Sequence, residues 1–262
     1  VPPSLEVQAA GGSVTGVRRA SSDDGRYVVF VSPSTHVVAG QVDANSSGND
    51  VFRWDRQTDT VMLVSRASGT TSTTGDRSCD ESPSISADGR YIVYASYARN
   101  LVATDTNNTR DIFLFDAVAG TTTLVSRNAA GTNSGNDQSG NPAISADGNF
   151  IAFTSSATNL VPGQVDANGS SGDLFLYDRV TGTTKLVNRV AGTTTTTPAS
   201  EDLDGPQFDL SANGQYVAYL SYATTLVAGQ VDANSTADVF LFDAVAGTNT
   251  LVSHTAAATA TT

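Results

Sequence analysis

Asp105-Thr-Asn107-Asn-Thr-Arg-Asp111-Ile-Phe-Leu-Phe-Asp116 decides the reading of this chain: an Asp/Asn loop runs straight into a short apolar strand that closes on aromatic-Asp. The same stretch returns as Asp43-Ala-Asn45 leading to Asp50-Val-Phe-Arg-Trp-Asp55, as Asp166-Ala-Asn168 leading to Asp173-Leu-Phe-Leu-Tyr-Asp178, and as Asp232-Ala-Asn234 leading to Asp238-Val-Phe-Leu-Phe-Asp243. The closing aspartate recurs about every 60 residues, the mark of a tandem supersecondary unit.

Outward from that stretch, each repeat parses into four short strands. In the second copy Pro83-Ser-Ile85-Ser precedes an Ala87-Asp88-Gly89 turn, and Asp-Gly suits a hairpin that needs positive φ. Arg90 to Ser96 follows with an unbroken apolar run, as does Asp111 to Phe115, which fits strands buried on both faces. Ala119-Gly120-Thr121 turns into Thr122 to Ser126, whose alternation fits a half-exposed edge. Asp24-Gly25, Asp147-Gly148 and Asn213-Gly214 mark the equivalent hairpins, and helical periodicity is absent. A four-stranded unit cannot bury both faces of its middle strands alone, so radial packing into an all-β propeller of four four-stranded blades is predicted. A β-sandwich fits less well, because every repeat carries the same pattern. The predicted interblade core holds Ile92, Tyr94, Phe113, Phe115, Phe153, Phe175, Tyr177, Tyr219, Phe240 and Phe242, with Trp54 at the matching place in the first repeat. Residues 1–255 form one propeller domain in this reading and 256–262 a Thr/Ala-rich tail or linker.

Pro83-Ser-Ile-Ser-Ala-Asp-Gly-Arg-Tyr-Ile-Val-Tyr-Ala-Ser followed by Asp111-Ile-Phe-Leu-Phe-Asp resembles the TolB-type, WD-like propeller repeat, across nearly the whole chain. The resemblance implies that the Pro-x-Ser strand is innermost and the Leu-Val-Ser strand outermost. It implies a bacterial surface or periplasmic scaffold setting, but no single function, since such blades serve scaffolds and peptidases alike. Ser4 to Gln8 and Thr250 to Ser253 both read as outermost strands, so four blades either close on themselves or belong to a larger ring.

Composition narrows the partners. A formal charge of −12 removes the basic footprint that nucleic acid or an anionic membrane surface requires, and divalent cations are its natural company. No apolar run is long enough to span a bilayer, and no secretion signal is evident at the start of the sequence. The lone Cys79 forbids an intrachain disulfide. Thr and Ser tracts with a single lysine, Lys185, lean toward an extracellular, cell-surface or periplasmic location.

Antiparallel order places all the long loops on one face, together with Asp76, Asp80, Glu81, Asn136, Asp137, Glu201, Asp202 and Asp204. Ca²⁺ takes six to eight hard oxygens, which an Asp-x-Asn element with a later Asp supplies. Asp43, Asn45 and Asp50, then Asp105, Asn107 and Asp111, then Asp166, Asn168 and Asp173, then Asp232, Asn234 and Asp238 are the candidate ligands. The competing reading is Asx-turn chemistry, with the last Asp satisfying donors where its strand begins. A third uses the same asparagines: Asn45-Ser-Ser, Asn107-Asn-Thr, Asn168-Gly-Ser and Asn234-Ser-Thr are glycosylation acceptors by pattern.

Catalytic constellations are poorly represented. His36 and His254 occupy unmatched repeat positions, Cys79 has no base beside it in sequence, and no Gly-x-Ser-x-Gly elbow occurs. Glu201, Asp202 and Asp204 could contain an acid/base pair, and Tyr97 and Tyr222 an aromatic platform for sugar. The predicted function is a non-catalytic extracellular binding or assembly module. Its partners are protein or glycan at the cell surface, and a homo-oligomer or fibre forms through the terminal strands. The competing class is a glycan-active hydrolase or lyase that uses the acidic face.

Overall fold

Each repeat folds as an antiparallel meander because its turns are written in Ser, Asp and Gly. At the second repeat's hairpin, Ser86 Oγ donates to Asp88 Oδ1 (2.5 Å) while accepting from the Tyr91 N–H (2.9 Å), and Asp88 accepts from the Arg90 N–H (3.0 Å). Gly89 completes the turn at φ 72°, where an L side chain is disfavoured. The tight turn at the other end of the blade hangs on the closing aspartate, whose Oδ1 accepts from the N–H groups of Val118 and Ala119. Ser22/Asp24, Ser145/Asp147 and Ser211/Asn213 repeat the first device, and Asp178 and Asp243 the second.

The structure, a computed structural model, describes residues 19–46, 48–169, 171–199 and 203–254. It contains β1 (Tyr27–Ser32), β2 (Asp50–Asp55), β3 (Thr60–Leu63), β4 (Cys79–Ile85), β5 (Tyr91–Ser96), β6 (Asp111–Asp116), β7 (Thr121–Leu124), β8 (Ser139–Ile144), β9 (Phe150–Ser155), β10 (Asp173–Asp178), β11 (Thr183–Leu186), β12 (Leu203–Leu210), β13 (Tyr216–Ser221), β14 (Asp238–Asp243) and β15 (Thr248–Leu251). Three sheets have four strands in sequence order, β4 to β7, β8 to β11 and β12 to β15. The first has β1 to β3, with a single Ser21–Val28 bridge where the others have an innermost strand. This is the all-β propeller of four blades. The predicted strand Ser4 to Gln8, Glu201, Asp202 and the tail 256–262 lie outside the described residues.

Blades pack face to face, and the core lies between them. One cluster joins Val29, Val51 and Val64 of the first blade to Ile92, Tyr94, Phe113 and Phe115 of the second. A second joins Val93, Ile112, Leu114 and Val125 to Ile151, Phe153, Phe175 and Tyr177, and a third joins Leu174, Leu176 and Val187 to Val217, Tyr219, Phe240 and Phe242. All ten predicted core residues are buried. Trp54 is a correction: it is half-buried, and its Nε1 donates to Asp59 Oδ1 (3.0 Å), because no blade of the described chain covers that face of β2.

An arginine clasp repeated three times crosses each junction. Arg66, Arg127 and Arg189, just past the outermost strands, donate to the carbonyls of Gly120, Gly182 and Gly247 in the next blade. Their guanidinium carbons lie 4.8, 5.5 and 5.1 Å from the ring centroids of Phe115, Tyr177 and Phe242, within cation–π reach. Closer to the innermost strands, hairpin glycines receive the preceding blade's aromatic. A Cβ at Gly89, Gly148 or Gly214 would run into Tyr27, Tyr91 or Phe150.

Candidate cation site in the second blade's loop

The strand-initiating aspartates have a structural role in every blade. Asp50, Asp111, Asp173 and Asp238 each accept from a side chain one strand further out, namely Ser65 (3.0 Å), Ser126 (2.5 Å), Asn188 (2.9 Å) and Ser253 (2.9 Å). That same partner accepts from the first strand N–H of Val51, Ile112, Leu174 or Val239. The repeated Asp therefore ties the middle of the blade to its outer edge, a role the sequence reading left to turn chemistry.

Three of the four loops before these strands are built alike. Gln41, Gln164 and Gln230 brace them from within, each amide donating to a carbonyl seven residues earlier, Ser34, Ala157 or Ala223, and accepting from the backbone of Val37, Leu160 or Val227 among others. The Asx turn then closes in the ordinary way: Asp43 accepts from the Asn45 N–H (3.0 Å), Asp166 from Asn168 and Gly169, and Asp232 from Asn234 and Ser235. In the first and third loops the Asn Nδ2 turns inward and donates to the strand aspartate, Asn45 to Asp50 and Asn168 to Asp173, both at 3.2 Å. An Asn so placed meets the carboxylate with its donor, and only the neutral Asn45 Oδ1 of that set is buried without a partner. Gln41, Gln164 and Gln230 carried a legible signal, since Gly-Gln-Val-Asp recurs at 40–43, 163–166 and 229–232.

The second loop departs from this plan because its sequence does. Leu101-Val-Ala-Thr-Asp105 is two residues shorter than Leu160-Val-Pro-Gly-Gln-Val-Asp166 and lacks the glutamine. Asn107 turns the other way: its Nδ2 donates to the Gly135 carbonyl (2.9 Å), and its Oδ1 accepts from the Thr109 N–H (2.9 Å). Four oxygens are then buried without a hydrogen bond, namely Asp105 Oδ1 and Oδ2, Asp111 Oδ2 and Thr109 Oγ1. Asp105 is 9% exposed and Asp111 0%.

Burial pushes the Asp111 carboxyl up to about 7 against the opposing Ser126 hydroxyl, and the charge of Asp105 adds to the rise. Burial also raises Asp105, while the Asn107 N–H pulls the other way without reaching hydrogen-bond geometry. An unpaired carboxylate in such surroundings is costly. Two of them with a hydroxyl form a set of hard oxygens suited to Ca²⁺, which also accepts amide and backbone carbonyls and water. Among the described residues no three His, Cys, Asp or Glu side chains converge on a point, so any cation here draws the rest of its shell from neutral oxygens.

The remaining sequence candidates fall elsewhere. Asp76 pairs with Arg99 at 3.0 Å, Asn136 bonds Thr158, and Asp137 is exposed. The side chains of Glu81 and Asp204 lie outside the described residues. Cys79 is buried, and burial pushes its thiol up to about 12, which removes the thiolate at neutral pH. His36 and His254 are exposed, and Tyr97 is half-buried. Of the four sequon asparagines, Asn45, Asn107 and Asn168 spend Nδ2 on internal bonds, whereas Asn234 is exposed and accepts through Oδ1 from Thr236. No helix among the described residues is long and apolar enough to cross a membrane.

No protein-family model matches the chain, and no curated sequence does. Among solved structures it is similar to TolB from Acinetobacter baumannii (17% identity, TM-score 0.47, covering 90% of this chain and 43% of that one). It is similar also to a putative TolB from Agrobacterium tumefaciens (15%, 0.47, 91% and 62%). A third is the β-propeller domain of the Trilobed protease from Pyrococcus furiosus (9%, 0.48, 90% and 56%). The chain thus spans less than two thirds of the length of each. The propeller read from hairpins such as Pro83-Ser-Ile-Ser-Ala-Asp-Gly89 agrees with the four meander sheets.

Proposed function

We propose that this chain is a non-catalytic binding and assembly module of an extracellular or periplasmic protein, and that its second loop binds one calcium ion through Asp105 and Asp111. The observation that carries the reading is the pair of buried carboxylates whose oxygens, Asp105 Oδ1, Oδ2 and Asp111 Oδ2, have no hydrogen-bond partner. A divalent cation would neutralise both, hold the 101–110 loop against the Gly135 segment, and stiffen the long-loop face. That face is the acidic, loop-bearing side on which a protein or glycan partner docks. The first, third and fourth loops, closed by their own Asx turns and glutamine braces, serve as its rigid surround. Oligosaccharide or protein ligands bind there without turnover in this reading.

The test is calcium titration into chelator-treated protein followed by thermal melting. Binding to the folded form alone raises stability by RT ln(1 + [L]/Kd), roughly 2.7 kcal/mol at a hundredfold excess over Kd. An unchanged melting curve would sink the calcium reading. Hydrolysis or elimination of a cell-surface glycan by the purified chain would sink the non-catalytic one.

A further inference from the structure

Each junction between blades opens a groove on its outer rim, and the same residue types wall it every time. Arg66, Arg127 and Arg189 line three such grooves of about 510, 300 and 450 Å³, at the lower end of the about 300–1,000 Å³ typical of small-ligand sites. One wall is the turn after an outermost strand, beginning at that arginine. The other is the next blade, with Leu101, Leu160 or Leu226 from its long loop and Thr121, Thr183 or Thr248 from its own outermost strand.

The arginines stand out electrostatically. Arg26, Arg90 and Arg99 each pair with an aspartate. Among the described residues Arg66, Arg127 and Arg189 pair with no carboxylate, in a chain of 26 acidic and 14 basic side chains. Each spends one N–H on a glycine carbonyl, and a guanidinium carries further donors in a planar fork. Arg127 sits between two glycines of its groove: a Cβ at Gly131 would touch its Cζ, Nε and Nη1 at 3.8 Å, and one at Gly182 would meet its Nη2. Arg189 is 7% exposed, and burial pulls Arg66 and Arg189 below the usual arginine pKa. A cation withdrawn from water without a counter-ion is costly, and an anion from outside would relieve that cost at all three junctions.

We propose that each rim groove binds one uronic-acid unit at the end of a short acidic glycan, with the sugar carboxylate gripped by the arginine. The planar fork of a guanidinium matches a carboxylate. The threonine hydroxyls offer donors and acceptors to the sugar hydroxyls, and the leucine supplies an apolar wall for the C–H face of the ring. Ala67 and Gly69 in the first groove, and Ala129 and Gly131 in the second, are small enough to leave the ring its room. A single charge fits best, because a formal charge of −12 repels a densely charged polymer beyond the groove. A peptide carboxylate fits less well: an extended peptide docks by pairing with a sheet edge, and the outermost strands offer four residues each. The site goes beyond the proposed function, since it uses the outer rim and needs no calcium.

Saturation-transfer NMR titration of the full chain in chelator, at physiological salt, reads the answer with a glucuronosyl-glucose disaccharide, its neutral counterpart cellobiose, and the tripeptide Gly-Glu-Gly. The acidic disaccharide should bind at least tenfold more tightly than either of the others. Thr121→Glu, Thr183→Glu and Thr248→Glu combined, all at exposed positions, set an internal carboxylate at each groove and should weaken that binding at least tenfold. Arg66→Gln, Arg127→Gln and Arg189→Gln combined should do the same, once circular dichroism and melting show an unchanged fold; if loss of the clasps unfolds that variant, the threonine set decides alone. No binding, equal binding of cellobiose or of the tripeptide, or an affinity unchanged in either folded variant would each overturn the uronic-acid site.

Discussion

The loops of the first and second blades contain the same residue types in the same order, yet the polar groups end in different states. Around Asp43, Asn45 and Asp50 the loop is two residues longer, Gln41 braces it, and the Asn amide donates to the strand carboxylate. Around Asp105, Asn107 and Asp111 the brace is missing, the Asn amide donates to the Gly135 carbonyl, and the two carboxylates keep three oxygens without a hydrogen bond. The difference teaches that Asp-x-Asn…Asp is a turn motif by default. In the second loop, where the Asn107 amide bonds the Gly135 carbonyl, the same motif leaves carboxylate oxygens without a hydrogen bond, and the proposed calcium site rests on that difference.

The largest expected contrast is calcium-linked. In saturating calcium the melting temperature should rise by an amount worth about 4 kcal/mol at a thousandfold excess over Kd. Asp111→Asn should abolish that gain, and Asp50→Asn in the first blade should leave it intact. Differential scanning calorimetry of the two variants side by side would break the comparison if Asp50→Asn also lost the gain.

Next in size is the calcium-free behaviour. Asp105→Asn removes a buried unpartnered charge and should stabilise the chelated protein by about 1–2 kcal/mol, although it weakens calcium binding. Asp43→Ala removes a bonded turn acceptor instead and should cost about 1 kcal/mol. Urea denaturation reads both, and equal signs for the two substitutions would contradict the distinction between the loops.

The pH dependence sharpens the comparison further. Burial holds Asp50 and Asp111 at about 7 in the folded chain, above the ordinary value of about 3.9. The fold therefore favours their neutral forms, so this contribution is fully present below about pH 4 and is lost as pH rises toward about 7. Asp116, held down at about 2 by Arg90, has the opposite sign: its contribution is present above about pH 4 and is lost as pH falls toward 2. Chelated protein should accordingly be most stable near pH 4–5 and decline by pH 8. Calcium should flatten the alkaline side through Asp105 and Asp111, both raised by burial, and melting curves from pH 3 to 8 in Asp50→Asn isolate that part.

How much of this was legible follows the range of the interaction involved. Ser86-Ala-Asp88-Gly89 and its three copies could be read because Ser, Asp and Gly satisfy that turn within five residues of sequence. The buried runs Tyr91 to Ser96 and Asp111 to Phe115 were legible for the same reason, since a strand apolar on both faces must be covered twice. Trp54 could not be placed, because its cover comes from whichever blade precedes the first, and the residue type alone does not report whether one is there. The Asn107 rotamer was hidden too: Asn45 and Asn107 differ through the distant Gly135 carbonyl and the absent glutamine brace. The deletion itself, Leu101-Val-Ala-Thr-Asp105 against Gly40-Gln-Val-Asp43, was visible in the sequence and was the available clue.

A smaller contrast concerns the fourth loop. Asn234 is exposed, so enzymatic glycosylation of the folded chain should modify it in preference to Asn45, Asn107 and Asn168, whose amide nitrogens are engaged internally. Peptide mass mapping checks this, and modification at Asn107 with calcium bound would contradict its amide bond to the Gly135 carbonyl.

Isothermal titration of calcium into the chelator-treated full chain at pH 8, repeated with Asp105→Asn, tests the central claim most directly. One ion per chain, lost in Asp105→Asn and retained in Asp43→Asn, is the predicted result. No heat of binding, or three to four equivalent ions that survive Asp105→Asn, would contradict the assignment of the second loop.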